Sequence, residues 1–233
     1  TADDYPQERH MMQQVVDSMR RRKVFASIDL HNNTGMNPHY ACVNVIDDAF
    51  LRLATLFSRT VVYFTDPCAV ASMAMASYCP SVTLECGKVG QQRGIDHAEE
   101  YLDACLHLQS HDGHPVTAGD IDLFHTVAIV KIPAGVSFGF DKEDVTLQFS
   151  AALEQLNFRE MAKGSYFASL RQGVDIPLEI YRHNQRDDVR DYFRLQDQDI
   201  LFKKPFMPSM LTCDKAVIRQ DCLCYLMERY PQR

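Results

Sequence analysis

Val24-Phe25-Ala26-Ser27-Ile28-Asp29-Leu30-His31-Asn32-Asn33-Thr34-Gly35 is the stretch around which this chain is organised. It reads as an apolar strand that carries an acid and a histidine to its end, then breaks into a polar, glycine-containing turn. Side chains alternate between the two faces of a strand, so Asp29 and His31 point one way and Leu30 the other. A second stretch, Val82-Thr83-Leu84-Glu85-Cys86-Gly87-Lys88, has the same design with a glutamate at its end.

Working outward, Pro6 to about Arg22 repeats Met11, Met12, Val15, Val16 and Met19 at helical spacing and ends in basic residues, which predicts a helix. Asp47 to Ser58 suits another, Val61 to Phe64 a short buried strand, and Cys68 to Tyr78 a close-packed helix stopped by Pro80. Ser81 to Cys86 forms a third strand, and Ile95 to about Leu108 a further helix. Strands alternating with helices predict an α/β fold, with a mainly parallel sheet flanked by helices. In such sheets ligands bind beyond the carboxyl ends of the strands, where His31 and Glu85 are expected.

Composition changes at Gln109-Ser110-His111-Asp112-Gly113-His114-Pro115, a polar, turn-forming run read as a solvated linker. It divides an α/β catalytic-type domain, residues 1–110, from a smaller, mostly β domain, residues 111–233. In the second half Asp122 to Ile132, Val145 to Phe149, Leu178 to Tyr181, Arg190 to Leu195, Ile200 to Phe202, Ala216 to Ile218 and Leu223 to Leu226 read as strands. Ala151 to Lys163 reads as a short helix.

At 233 residues, 46% hydrophobic and 24% charged, the chain can bury a sizeable core. A net charge of -7 and scattered basic residues argue against nucleic acid and anionic membranes as partners. No apolar run approaches the roughly 18 residues that span a bilayer. Eight cysteines without a C-x-x-C pair read as reduced thiols of a cytoplasmic protein.

An imidazole makes a good zinc ligand when a second group, often a carboxylate, orients its other nitrogen; the spacing of Asp29 and His31 does not decide whether Asp29 does so. A carboxylate beside an activated water can act as general base, which is the chemistry open to Glu85. Read alone, each stretch is satisfied more simply: His31 within a polar turn, and Glu85 paired with Lys88 or Arg93.

Together, Ser27 to Gly35 and the later Thr83-Leu84-Glu85-Cys86-Gly87 resemble the succinylglutamate desuccinylase/aspartoacylase family of the zinc carboxypeptidase-like clan. The resemblance implies an α/β catalytic domain joined to a smaller β-rich C-terminal domain. It also implies hydrolysis of an N-acyl amino acid or peptide-like amide, with one zinc ion bound in part by His31 and Glu85 as catalytic base. Here the chain departs from the pattern. The family's histidine-x-x-glutamate zinc motif and its carboxylate-gripping asparagine-arginine pair belong upstream of the aspartate-leucine-histidine strand. Thirty residues precede His31, and neither motif is among them. His97-Ala98-Glu99-Glu100 has the letters but follows Glu85, and is read as a solvated helix face. The expectation is therefore an N-terminally incomplete hydrolase, with a small-acid-binding member that has lost the metal as the alternative.

Substrate contacts are expected from Asn32 and Asn33 in the turn after His31. Arg59 and Arg93 near strand ends are candidates for a substrate carboxylate, as is Arg9 near the start. Tyr63, and Tyr40 in the loop after His31, could donate to an oxyanion. The substrate is expected to be a small acyl amino acid or peptide; the oligomeric state is open.

Overall fold

The pairing that positions everything else is that of β1 (Ser27–Asn33) with β4 (Ser81–Lys88), parallel and in register, with Ser27 opposite Ser81 and His31 opposite Glu85. The two stretches that stand out in the sequence are thus neighbouring strands, and their acid and imidazole arrive at the same level. The computed structural model describes residues 6–66, 70–111, 113–141 and 143–231.

The remaining elements of the first half are α1 (Pro6–Arg20), β2 (Tyr40–Val43), α2 (Asp48–Thr55), β3 (Thr60–Tyr63), α3 (Ala71–Met75) and α4 (Gln92–Leu106). The second half contributes β5 (Asp122–Lys131), β6 (Phe138–Phe140), β7 (Leu147–Phe149), β8 (Tyr166–Leu170), β9 (Glu179–Arg182) and β10 (Gln185–Asp187). It continues with β11 (Phe193–Gln196), β12 (Asp199–Phe202), β13 (Met207–Ser209), α5 (Lys215–Gln220) and β14 (Cys224–Arg229).

Nine strands form the large sheet, in the order β1-β4-β2-β3-β5-β14-β13, with β9 paired to β5 and β10 to β9. The expectation of a mainly parallel sheet holds only in part. Pairs β1/β4, β2/β3 and β3/β5 are parallel, whereas β2/β4 and every pairing that β9, β10, β13 and β14 make are antiparallel. The reversal comes from β2, expected as a loop. Its four residues, Tyr40-Ala41-Cys42-Val43, are all buried, so it shows no alternation to read.

The expected division after residue 110 does not separate the sheets, because β5, β9, β10, β13 and β14 complete the large one. What stands apart is a five-stranded sheet, β11-β12-β8-β7-β6, around Phe149, Phe167, Phe193 and Phe202. Two further expectations change. Ala216–Ile218 lies in helix α5, capped by the Asp214 carboxylate on Ala216 and Val217 N–H groups. Within 151–163 the helix shrinks to a 3-10 turn at Leu153–Leu156. The expected helix from Cys68 begins outside the described residues and is seen as Ala71–Met75.

The two faces of the large sheet are covered differently. On one, α2 and α4 bury Ala41, Val43, Val61, Val82 and Leu84 against Leu53 and Tyr101, whose hydroxyl donates to the Leu53 carbonyl at 3.1 Å. On the other, Ser72 of α3 reaches Thr83 at 3.1 Å, and Tyr40, Cys42, Val62 and Phe124 meet Met207 and Met227.

Candidate active site

This second face carries the site. Alternation in β1 and β4 sends Asp29, His31, Thr83 and Glu85 to it, and β2 adds Tyr40 and Cys42. The second half closes the space with Thr126, Ser209, Met210 and Tyr225 around a cavity of about 180 Å³. The cavity lies over the face of the sheet, not beyond the strand ends as expected. β2 and β3 run against β1 and β4, so the carboxyl ends of these strands do not converge on one edge.

Glu85 is 8% exposed, and Asn33 Nδ2 lies 3.3 Å from its Oε2. The Asn33 amide is itself held, its oxygen accepting from Asn37 Nδ2 at 3.1 Å. Asn37 in turn accepts the backbone N–H of Met210 at 3.0 Å. A backbone N–H can only donate, so each amide in the chain has one orientation, and Asn33 must present its NH₂ to the carboxylate. Burial pushes the Glu85 carboxyl above the ordinary range and nearby Asp29 adds to the rise, while the Asn33 hydrogen bond and His31 oppose it. The suggested partners of Glu85 are elsewhere. Lys88 bonds Glu154 at 3.0 Å, and Arg93 is exposed at the start of α4.

His31 Nε2 lies 3.0 Å from Asp29 Oδ1, which leaves Nδ1 as the lone-pair nitrogen when Nε2 carries the proton. Tyr40 is buried, and its hydroxyl points at Met210 Sδ, 3.3 Å away. Burial and Glu85 push its phenol well above the ordinary range, so it stays a neutral donor. Met210 has a left-handed backbone, φ 64, held by the Asn37 contact at the cavity wall.

The turn after His31 is fixed by the second half. Asn157 bonds the Met36 carbonyl at 3.2 Å and the Leu211 carbonyl at 2.8 Å. Gly35 packs so closely that a Cβ there would stand 2.0 Å from the Leu211 oxygen.

Of the expected site residues, the fold brings together Asp29, His31, Asn33, Glu85 and Tyr40, and separates the rest. Asn32 alternates to the helix-covered side and is exposed. Tyr63 also faces that side and packs on the Tyr230 ring, 5.6 Å between centroids. Arg59 bonds the Gly119 carbonyl at 2.8 Å and lies 3.9 Å from Asp122. The side chain of Arg9 falls outside the described ones. His97 is not on a solvated face. Its ring stacks on Phe57 at 4.2 Å and its Nδ1 lies 2.6 Å from that of His39. Asn37, Thr126, Ser209, Met210 and Tyr225 carry no motif, and only the tertiary fold shows their role.

Among the described residues, no group of three or more histidines, cysteines, aspartates or glutamates could hold a metal ion. Catalytic zinc generally takes three protein ligands. The cavity offers one imidazole and three carboxylates, of which Asp29 is engaged by His31, Glu85 by Asn33, and Asp66 by the backbone N–H of Asn184. The described residues by themselves do not fit zinc.

No family model and no curated protein matches the chain. Solved structures do. A succinylglutamate desuccinylase from Vibrio parahaemolyticus matches with a TM-score of 0.56 at 13% identity, over 96% of this chain and 60% of that one. The chain has the fold of the succinylglutamate desuccinylase/aspartoacylase structures. Murine aminoacylase 3 matches at 0.53 and 13% identity, over 88% of this chain and 63% of that one. A succinylglutamate desuccinylase/aspartoacylase from Rhodobacter sphaeroides matches at 0.50 and 13%, over 88% and 58%. The chain thus spans about three fifths of the length of the structures it matches.

Proposed function

We propose that this chain supplies the acid–base part of a site that hydrolyses the amide bond of a small N-acyl amino acid or peptide, with Glu85 as general base. The observation that carries the reading is the setting of Glu85. It is a buried carboxylate lining a small cavity, raised by that burial, with one oxygen held by an amide of fixed orientation. A proton acceptor works best when its pKa lies nearer neutrality than that of a free carboxylate. Glu85 takes the proton of a water in the cavity and returns it to the departing amine. Tyr40 is too basic to ionise and can donate to the carbonyl oxygen, once the weak contact with the Met210 sulfur is given up.

His31 is proposed as one ligand of a zinc ion and Asp29 as the group that orients it; the described residues alone do not complete such a site. The shared fold of desuccinylase and aminoacylase structures supports the substrate class, and seven described free cysteines support a cytoplasmic setting. No described helix is long and apolar enough to cross a membrane.

The single imidazole favours one other reading, a non-catalytic protein that binds a small acid in this cavity. Hydrolysis of a panel of N-acyl amino acids, followed by amine release alongside thermal melting, separates the two. Turnover that Glu85→Gln abolishes supports the hydrolase. A melting shift without amine release supports the binder.

A further inference from the structure

The cavity over the sheet is elongated. Glu85 lies opposite Tyr40 on β2, and Cys42 lies opposite both Thr83 and Val62. Phe64 continues the ladder one residue past β3, its N–H donating to the Val43 carbonyl at 3.1 Å. The level of Glu85 is that of Tyr40 and the level of Phe64 that of Asn44, a separation of about 13 Å along the strands at the usual rise of about 3.3 Å per residue. Between these levels Cys42 and Val62 are buried in an apolar floor, which Phe64 and Val70 extend. Alternation puts Val62, Phe64 and Asp66 on one face, so Asp66 lines the same cavity beyond Phe64.

Asp66 is held there from the second half. The turn between β9 and β10, His183 and Asn184, has left-handed backbones, φ 48 and 60, as a two-residue hairpin turn of this kind requires. It brings the Asn184 N–H to Asp66 Oδ2 at 3.0 Å. Oδ1 is buried and, among the described residues, has no hydrogen-bond partner. Arg182 and His183 line a small crevice beside Asp66, yet neither hydrogen-bonds that oxygen. A buried carboxylate oxygen without a donor costs the fold stability, and a donor arriving with a ligand offsets that cost. The end torsion of an aspartate is soft, so a small rotation turns Oδ1 to the cavity.

The other two carboxylates are already engaged, Asp29 by His31 and Glu85 by Asn33. A cation entering this space therefore finds its open acceptor at Asp66, one apolar span away from Glu85. The group that suits a carboxylate oxygen at the end of an apolar trough is a primary ammonium on a methylene chain, which brings three donors and a full charge.

We propose that Asp66 is a specificity-determining residue, and that the site takes a linear N-acyl amine carrying a primary ammonium at its far end. The amide lies at Glu85 and Tyr40, the methylene chain over Cys42, Val62 and Phe64, and the ammonium on Asp66 Oδ1. The placing of the amide rests on the hydrolase reading; the binding of the ammonium at Asp66 does not.

Titration calorimetry of the intact chain carrying Glu85→Gln reads binding without turnover. The probes are mono-N-acetylated linear α,ω-diamines of increasing length, each beside the N-acetyl alkylamine of the same length. At the best-fitting length the charged probe is expected to bind about 10- to 100-fold tighter than its neutral counterpart, the usual worth of a hydrogen bond to a charged group. Adding Asp66→Asn is expected to erase that difference. Asparagine still accepts from Asn184 and removes a buried charge, so the melting temperature should hold or rise. Equal binding of charged and neutral probes at every length overturns the proposal, and so does binding of neither. A charge preference that survives Asp66→Asn overturns it too, as does a variant that melts well below its parent, which would make Asp66 a scaffold residue. Charge-dependent binding at Asp66 without amine release by the wild type would leave this assignment standing and remove the hydrolase reading instead.

Discussion

Asn33 and Glu85, 52 positions apart, meet across adjacent strand ends at 3.3 Å, and the amide can meet the carboxylate in only one orientation. That orientation is set from the far half of the chain, by the Met210 N–H acting through Asn37. A buried acid thus receives its hydrogen bond through a relay that spans both halves.

Breaking the relay at its middle tests it. Asn37→Ala leaves the Met210 N–H and the Asn33 oxygen unpaired, at a cost of about 1–3 kcal/mol for such groups. Asn37→Asp can still accept from Met210 but cannot donate to Asn33, so it is expected to lose stability too. Urea unfolding of the three proteins measures both differences, and wild-type stability in Asn37→Asp would show that the relay has no energetic weight.

Gly35→Ala probes the seam between the turn after His31 and the second half. A Cβ at 2.0 Å from the Leu211 carbonyl forces the backbone apart. The expected loss is about 1–3 kcal/mol, as for overpacking elsewhere in protein cores. It should appear as a lower urea midpoint with the slope retained.

Glu85→Gln keeps the shape of the side chain and an oxygen for Asn33 while removing the base. Amide hydrolysis is expected to fall by about 10²–10⁴, the usual contribution of a general base. Because burial disfavours the charged form of Glu85, folding stability at neutral pH should be equal or higher in the variant. Unchanged turnover would remove Glu85 from the mechanism.

The His39–His97 pair gives the fold an acid-sensitive point. Burial lowers the His39 pKa from its ordinary 6.5, and His97 and Arg93 lower it further. A histidine depressed in the folded state binds fewer protons folded than unfolded. Stability is therefore fully present above 6.5 and is lost as pH falls from there toward the folded value. Urea midpoints taken at steps below neutrality should fall more steeply for the wild type than for His39→Gln. Parallel curves would show that the pair does not couple to folding.

Much of this protein is legible in its residues one strand at a time. The alternation in Ser27–Asn33 and Ser81–Lys88 fixes which side chains share a face, and Asp29, His31 and Glu85 are found together because of it. The helices α2 and α4 follow from their apolar periodicity and the cap at Asp47. Local pattern stops being informative where burial is two-sided or partners are remote. Tyr40–Val43 is buried on both faces and carries no period, yet its direction decides that the sheet is mixed and that the site lies on a face. Arg59 and Tyr63 look available in the sequence and are spent on Gly119 and on Tyr230. Asn37, Ser209, Met210 and Tyr225 acquire a role only when β13 and β14 return to the large sheet. The sequence by itself determined the chemistry at two strand ends, because alternation is a property of the local backbone. Tertiary structure alone decided what surrounds that chemistry, because strand order and direction depend on burial summed over the whole chain.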